Sequence, residues 1–127
     1  MIYGVGTDIV EVERIEKALE RFGEKFAKRI LSDSELKRFQ GHRQKANFLA
    51  KRFAAKEAFT KALGTGIHAP ANWHGVWVKN LPSGKPVLEF SEPLRALLKE
   101  KQIATSHLSL ADERGMAVAT VILECEK

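Results

Sequence analysis

Two carboxylates and one lysine carry most of the chemistry this sequence suggests. Asp8 closes the run Gly4-Val5-Gly6-Thr7-Asp8. Alternate residues of a strand share a face, so Asp8 lies on the same side as two residues without side chains. Gly4 and Gly6 leave room there for another element or a ligand to approach closely. Glu57 and Lys61 stand four apart in the longest helical pattern, one above the other. Two carboxylates on different elements suit Mg²⁺, which takes oxygen ligands and is typically held by one or two carboxylates with water and substrate phosphates. Arg43, Lys45, Arg52, Lys56 and Lys61 accompany them as cations able to neutralise such phosphates. Spacing alone also allows plainer readings. Asp8 could start the turn into the following helix as its N-cap, and Glu57 with Lys61 could be a surface ion pair worth about 0.3–0.5 kcal/mol.

Other motifs are weaker. Gly64-Thr65-Gly66 could turn backbone N–H groups toward an anion, but it follows a helix C-terminus, where the dipole opposes negative charge, and it is too short for a P-loop. A dinucleotide-binding reading of Gly4-x-Gly6 fails, because the glycines lie within the strand and position 9 is Ile. His42, His68, His74 and His107 have no metal-ligand spacing, and no serine sits in a glycine-flanked elbow. Between Arg14 and Arg29 the bases Arg14, Lys17, Arg21, Lys25, Lys28 and Arg29 exceed the acids Glu16, Glu20 and Glu24. Arg14 and Arg21, seven apart, share a helix face beside Phe22 and Phe26. A solvated amphipathic helix is the plain reading of that segment, and a docking surface for an acidic helix is the sharper one.

The elements that must position these residues follow from periodicity. Ile2–Val10 reads as a strand, Glu11–Phe22 as an amphipathic helix with Val12, Ile15, Leu19 and Phe22 in one stripe, and Glu24–Ile30 as a short helix after Gly23. Ser32-Asp33-Ser34-Glu35 offers the capping chemistry of a third helix through Phe39. Lys45–Leu63 is the long helix, apolar on most sides and stopped by Gly64. Such a helix packs on more than one side, which leaves Glu57 partly desolvated and in need of a cation. Val76–Asn80 and Val87–Phe90 are strands, Glu92–Lys101 is a helix capped by Ser91, and Ile103–Leu110 with Met116–Leu123 form a hairpin around Asp112-Glu113-Arg114-Gly115. The order predicts α+β, an antiparallel sheet packed with helices, one of them long and central.

Composition sets the frame. The 127 residues are expected to form a single domain, 1–127, with 44% hydrophobic and 29% charged residues. Lys and Arg number 21 against 16 Asp and Glu, a net +5 that points to an acidic or phosphate-rich partner. One cysteine, Cys125, excludes a disulfide framework and a cysteine-based zinc site. The sequence has no signal-peptide pattern and no apolar run of membrane-spanning length, so a cytoplasmic protein without membrane insertion is expected. Aromatics at 8% and the lack of a recognised motif speak against a basic nucleic-acid-binding module. A Mg²⁺-dependent phosphohydrolase or nuclease built on Asp8, Glu57 and Lys61 is the other alternative. So small a domain would gain by association with copies of itself.

Three stretches resemble one family. Gly6-Thr7-Asp8-Ile9-Val10-Glu11 with Arg14-Ile15 is similar to the N-terminal signature of bacterial holo-[acyl-carrier-protein] synthases, within the 4′-phosphopantetheinyl transferases. Phe48 to Ala58, continuing through Lys61-Ala62-Leu63-Gly64-Thr65-Gly66, resembles their central signature, and Gly84-Lys85-Pro86 and Ser106-His107-Leu108-Ser109 match weaker features downstream. The resemblance implies transfer of the phosphopantetheine arm of coenzyme A to a serine of an acidic apo acyl carrier protein, with release of adenosine 3′,5′-bisphosphate. It implies Mg²⁺ on Asp8 and Glu57, Lys61 on phosphate, and either Glu57 or a water on the metal as acceptor of the serine proton. Arg43, Arg52, Lys61, Gly64, Thr65, Gly66 and Pro86 would lie along coenzyme A, and Arg14, Arg21 and Phe22 would dock the carrier. A homotrimer with active sites between subunits is implied as well, and the chain length suits the family. Some members have a histidine followed by Ser or Thr where this chain has Asp112-Glu113, so a coenzyme A contact through that histidine is not carried over.

Overall fold

A computed structural model of the chain describes residues 1–126. Alternation in the first segment becomes β1 (Ile2–Glu11), whose Gly6 and Val10 turn inward while Val5, Thr7 and Ile9 face out. Helices α1 (Val12–Phe22), α2 (Glu24–Ile30), α3 (Asp33–Gln40) and α4 (Lys45–Leu63) follow, then β2 (Val76–Asn80), β3 (Pro86–Phe90), α5 (Glu92–Glu100), β4 (Ile103–Glu113) and β5 (Met116–Cys125). The α+β class is as expected, with one difference. The strands form two antiparallel sheets, β1-β5-β4 and the separate hairpin β2-β3.

Local chemistry explains the boundaries. Ser32 and Glu35 close a capping box at the start of α3, Ser91 caps α5, and Gly64 ends α4 in the left-handed region at φ 89°. Asp8 is not a helix cap. It stays within β1 opposite Ala119, and Glu11 occupies the N-cap of α1. The last hairpin also differs from expectation, because Asp112 and Glu113 remain in β4 and only Arg114 and Gly115 turn. Both have positive φ, 51° and 78°, the backbone of a tight two-residue turn whose twist matches its strands.

The core lies between α4 and the inner face of the three-stranded sheet. Twelve of the nineteen α4 residues are buried, on both sides of the helix, against Val10, Ala117, Ala119, Val121 and Leu123 among others. The seam with β1 is unusually close. A Cβ added to Gly4 would stand 2.0 Å from the carbonyl oxygen of Ala62, and one on Gly6 1.9 Å from that of Ala58. The space left by the two glycines is therefore filled by the backbone of α4. On its other side α4 is pinned by Lys56, whose Nζ donates to Glu35 Oε1, Ile30 O and Trp73 O, each at 2.7 Å, in a place closed to solvent. Glu35 in turn accepts from the Ser32 and Val78 amides. Lys56 is thus a structural cation and not one available to phosphate. Among the described residues, no helix is long and apolar enough to cross a membrane.

Candidate active site

Because β1 lies so close to α4, Asp8, two residues beyond Gly6, meets the helix side chains. Lys61 Nζ donates to Asp8 Oδ1 at 3.0 Å and to the Thr7 carbonyl oxygen at 3.1 Å. Glu57, one turn earlier on α4, shares this neighbourhood. Its carboxyl is pushed above the usual carboxylate range, first by partial burial and then by the negative charge of Asp8, while Lys61 and Arg14 oppose the rise. Two carboxylates that repel each other beside a single lysine make an all-oxygen donor set short of positive charge, which suits a hard divalent cation. The predicted trio Asp8, Glu57 and Lys61 is therefore brought together, and Arg14 stands close enough for its charge to be felt. Among the described residues no third acid, histidine or cysteine joins the two carboxylates.

The residues expected along a nucleotide are divided. Gly64, Thr65 and Gly66 follow Lys61 at the C-terminal end of α4, but the Gly64 and Thr65 amides already donate to Thr60 O. Arg43 lies before the N-terminal end of α4, about 28 Å away for nineteen residues at 1.5 Å each. It lines an open cleft of about 590 Å³ with Glu16, Glu20, Lys45 and Asn47. Arg52 differs most from expectation. It is 4% exposed, its guanidinium carbon sits 4.1 Å from the Phe48 ring centroid, and its Nη2 donates to Asn80 Oδ1 at 3.0 Å. Burial draws its pKa down to about 10, an effect Glu35 opposes and Arg38 adds to. Within this chain Arg52 does not present its charge to solvent. Pro86 pairs with Asn80 in the β2-β3 hairpin, so Arg52 and Pro86 share a flank of α4 opposite to Lys61, from which Arg52 is half a turn of the helical wheel away.

The expected docking residues all lie on the exposed side of α1. Arg14, Arg21 and Phe22 are exposed, Phe22 by 56%, and the Arg21 guanidinium sits 5.2 Å from the Phe22 ring centroid. Asp112, which the sequence left without a role, bonds Asn47 Nδ2 at 2.9 Å and Lys51 Nζ at 3.3 Å and ties the end of β4 to the first turns of α4. Glu35 was legible as a capping-box residue but not as the partner of Lys56. Asn80 gave no signal at all.

An α+β fold that sets two carboxylates and a lysine at a strand–helix seam, in a basic chain, suits an enzyme that handles phosphate. Comparison with known proteins gives the family. The sequence model of the 4′-phosphopantetheinyl transferase superfamily matches residues 4–121, and the chain belongs to that family. A holo-[acyl-carrier-protein] synthase of Vibrio cholerae is 55% identical over 124 residues, 98% of each chain. The crystal structure of holo-[acyl-carrier-protein] synthase from Neisseria meningitidis superposes with a TM-score of 0.94 at 43% identity, covering 98% of this chain and 99% of that one. The Bacillus anthracis holo-(acyl-carrier-protein) synthase, solved in complex with CoA (3′,5′-ADP), has a TM-score of 0.84 at 39% identity over 99% of both chains.

Proposed function

We propose that this protein is a holo-[acyl-carrier-protein] synthase, which moves the 4′-phosphopantetheine arm of coenzyme A onto a serine of an acidic apo acyl carrier protein and so serves fatty acid biosynthesis. Family membership together with the meeting of Asp8, Glu57 and Lys61 carries the reading. The serine oxygen attacks the β-phosphorus of coenzyme A, a new P–O bond forms, and the bond to the bridging oxygen breaks. Adenosine 3′,5′-bisphosphate leaves with that oxygen. The serine proton would pass to Glu57 or to a water held at the seam. Lys61, half-exposed at the mouth of the seam, supplies positive charge to the pyrophosphate as charge builds up. Asp8 and Glu57 would hold Mg²⁺, which when bound supplies the charge neutralisation that phosphoryl transfer requires.

Two features support a site completed between copies. The residues expected along coenzyme A fall on opposite flanks and opposite ends of α4. The outer sheet face also exposes Val5 and Ile9 by more than half beside Val118 and Ile122, an apolar surface suited to a homotrimer. The chain works in the cytoplasm on this reading, and the exposed Arg14, Arg21 and Phe22 receive the carrier.

Incubation with coenzyme A, Mg²⁺ and apo carrier should add one phosphopantetheinyl group to the carrier in intact-mass spectra. No mass gain, or cleavage of coenzyme A without transfer, overturns the reading and in the second case favours a phosphohydrolase. Asp8→Ala and Glu57→Ala should lose Mg²⁺-dependent turnover with unchanged circular dichroism. Arg14→Glu should raise KM for the carrier well above its effect on KM for coenzyme A, because it sets like charge against an acidic partner.

A further inference from the structure

The geometry points to Arg52 as a positioning residue for the turn that carries Gly84, Lys85 and Pro86, acting through Asn80. The contacts form one chain. The Arg52 guanidinium lies on the Phe48 ring, one helical turn earlier on α4, and donates through Nη2 to Asn80 Oδ1 at 3.0 Å. Asn80 spends its other side-chain group on the turn itself, where Nδ2 donates to the Gly84 carbonyl oxygen at 3.1 Å. Asn80 is the last residue of β2 and faces Pro86, the first of β3. The turn between them closes through Gly84 N to Leu81 O at 2.7 Å and Leu81 N to Lys85 O at 2.9 Å.

Residues Leu81 to Lys85 are exposed, and Gly84 adopts φ 92°, so little packing holds this segment. Besides the β2-β3 ladder itself, its side-chain link to the central helix runs through Asn80 to a buried cation. No acidic side chain contacts that cation among the described residues, and its Nε has no partner. A guanidinium buried at such cost, with one side-chain amide as its hydrogen-bond partner, is placed to order that amide. The planar fork fixes the direction of the Nη2 bond, and the stacked Phe48 ring fixes the plane of the fork, so the Asn80 amide is held in one orientation. That orientation sends Nδ2 to the turn. Arg52 thereby sets the position of Gly84-Lys85-Pro86 without itself reaching a ligand. The consequence for coenzyme A affinity rests on the proposed transferase reading. The relay itself does not.

Amide hydrogen exchange on the ligand-free protein tests the relay directly. Asn80→Ala should speed exchange at the Gly84 and Leu81 amides about five- to tenfold, the equivalent of one side-chain hydrogen bond, with core amides of α4 and β5 unchanged. Asn80→Asp keeps the acceptor for Arg52 and loses the donor to Gly84, and should match Asn80→Ala at the turn. Arg52→Lys should give the same change, and the double variant Arg52→Lys with Asn80→Ala should add nothing further. In turnover the same variants should raise KM for coenzyme A by a similar factor with kcat within about twofold. Independent, multiplying effects of the two substitutions on KM, with exchange at Gly84 and Leu81 unmoved, would overturn the relay and assign Arg52 a direct ligand contact. Should the protein transfer nothing from coenzyme A, the exchange measurement still decides the relay, and Asn80→Ala alone decides it where Arg52→Lys does not fold.

Discussion

Gly6→Ala is the sharpest test of how this fold builds its site. The added Cβ would stand 1.9 Å from Ala58 O, 2.7 Å from Ala62 N and 2.9 Å from Ala58 C, all backbone atoms of a buried helix that cannot rotate aside. Restoring an ordinary contact of about 3.4 Å requires β1 and α4 to part by roughly 1.5 Å at this point. Overpacking of a well-filled seam costs about 1–3 kcal/mol, and this contact belongs at the upper end because no side chain can yield. A loss of about 2–3 kcal/mol lowers Tm by about 8–12 °C in a chain of this length, measured at fixed protein concentration because association also stabilises. The functional cost is larger than the stability cost suggests. Asp8 lies two residues beyond Gly6 and bonds Lys61 across the same seam at 3.0 Å, and displacement of reacting groups by about 1 Å costs on the order of 100-fold in rate. Calorimetry and single-turnover transfer below the lowered Tm report the two effects separately. Gly23→Ala serves as the contrast, since nothing lies within 4 Å of a Cβ there and only its φ of 66° is unfavourable. A Gly6→Ala protein that unfolds within about 0.5 kcal/mol of the parent and retains its rate would refute the argument that α4 and β1 touch through backbone at this point.

Two further outcomes follow from the charges. In the metal-free protein, carboxyl-detected NMR should find Glu57 titrating above the ordinary carboxylate range, with Asp8→Asn moving it down and Lys61→Met or Arg14→Gln moving it up. Because the folded-state pKa is raised, the folded protein holds this proton more tightly, so the group favours folding below the unfolded carboxylate pKa and that contribution fades as pH rises through the folded value. Urea titrations should show Lys56→Met losing about 3–5 kcal/mol, since it leaves the Glu35 carboxylate buried without its cation. Lys56→Met with Glu35→Gln should recover only part, because Ile30 O and Trp73 O still lose the Lys56 donor.

What the sequence made legible was whatever repeats with a period or depends on neighbours in the chain. Alternation placed Asp8 beside Gly4 and Gly6, helical spacing stacked Glu57 on Lys61, and both survive in the structure because a residue's face is fixed locally. The even distribution of apolar residues around α4 likewise announced a helix packed on several sides. Charge was read less well. Arg52, Lys56 and Lys61 are alike as cations on one helix, yet one is stacked and hydrogen-bonded in the interior, one is closed off on Glu35, and one stands at the mouth of the seam. Their positions around the helix separate them, but which side meets solvent depends on β2, α3 and β1, through contacts that span 21 to 54 residues of chain. Asp112 shows the same limit, because a turn residue and a strand residue bound to Asn47 and Lys51 differ only by a hairpin register set by Arg114 and Gly115.

The division of cations around α4 bears on the mechanism. A helix that carried all of them on one side would gather a strong positive field but would have nothing left to order its surroundings, and a net +5 would be read wholly as affinity for anions. Here Lys56 and Arg52 hold α2, α3, the loop before β2 and the β2-β3 turn in place, while Lys61 alone among these three meets the carboxylates. The field at the seam is consequently weak for the charge it must handle. Asp8 and Glu57, when both are ionised, outweigh the single charge of Lys61 before any phosphate arrives, a deficit that a divalent ion would fill on the proposed reading. Arg14 is the next cation within reach of Glu57, and it sits on the helix proposed to receive the carrier. Docking of an acidic partner on α1 and electrostatic balance at the seam therefore share a residue, and separate measurement of KM for the carrier and for coenzyme A in Arg14→Glu distinguishes the two contributions.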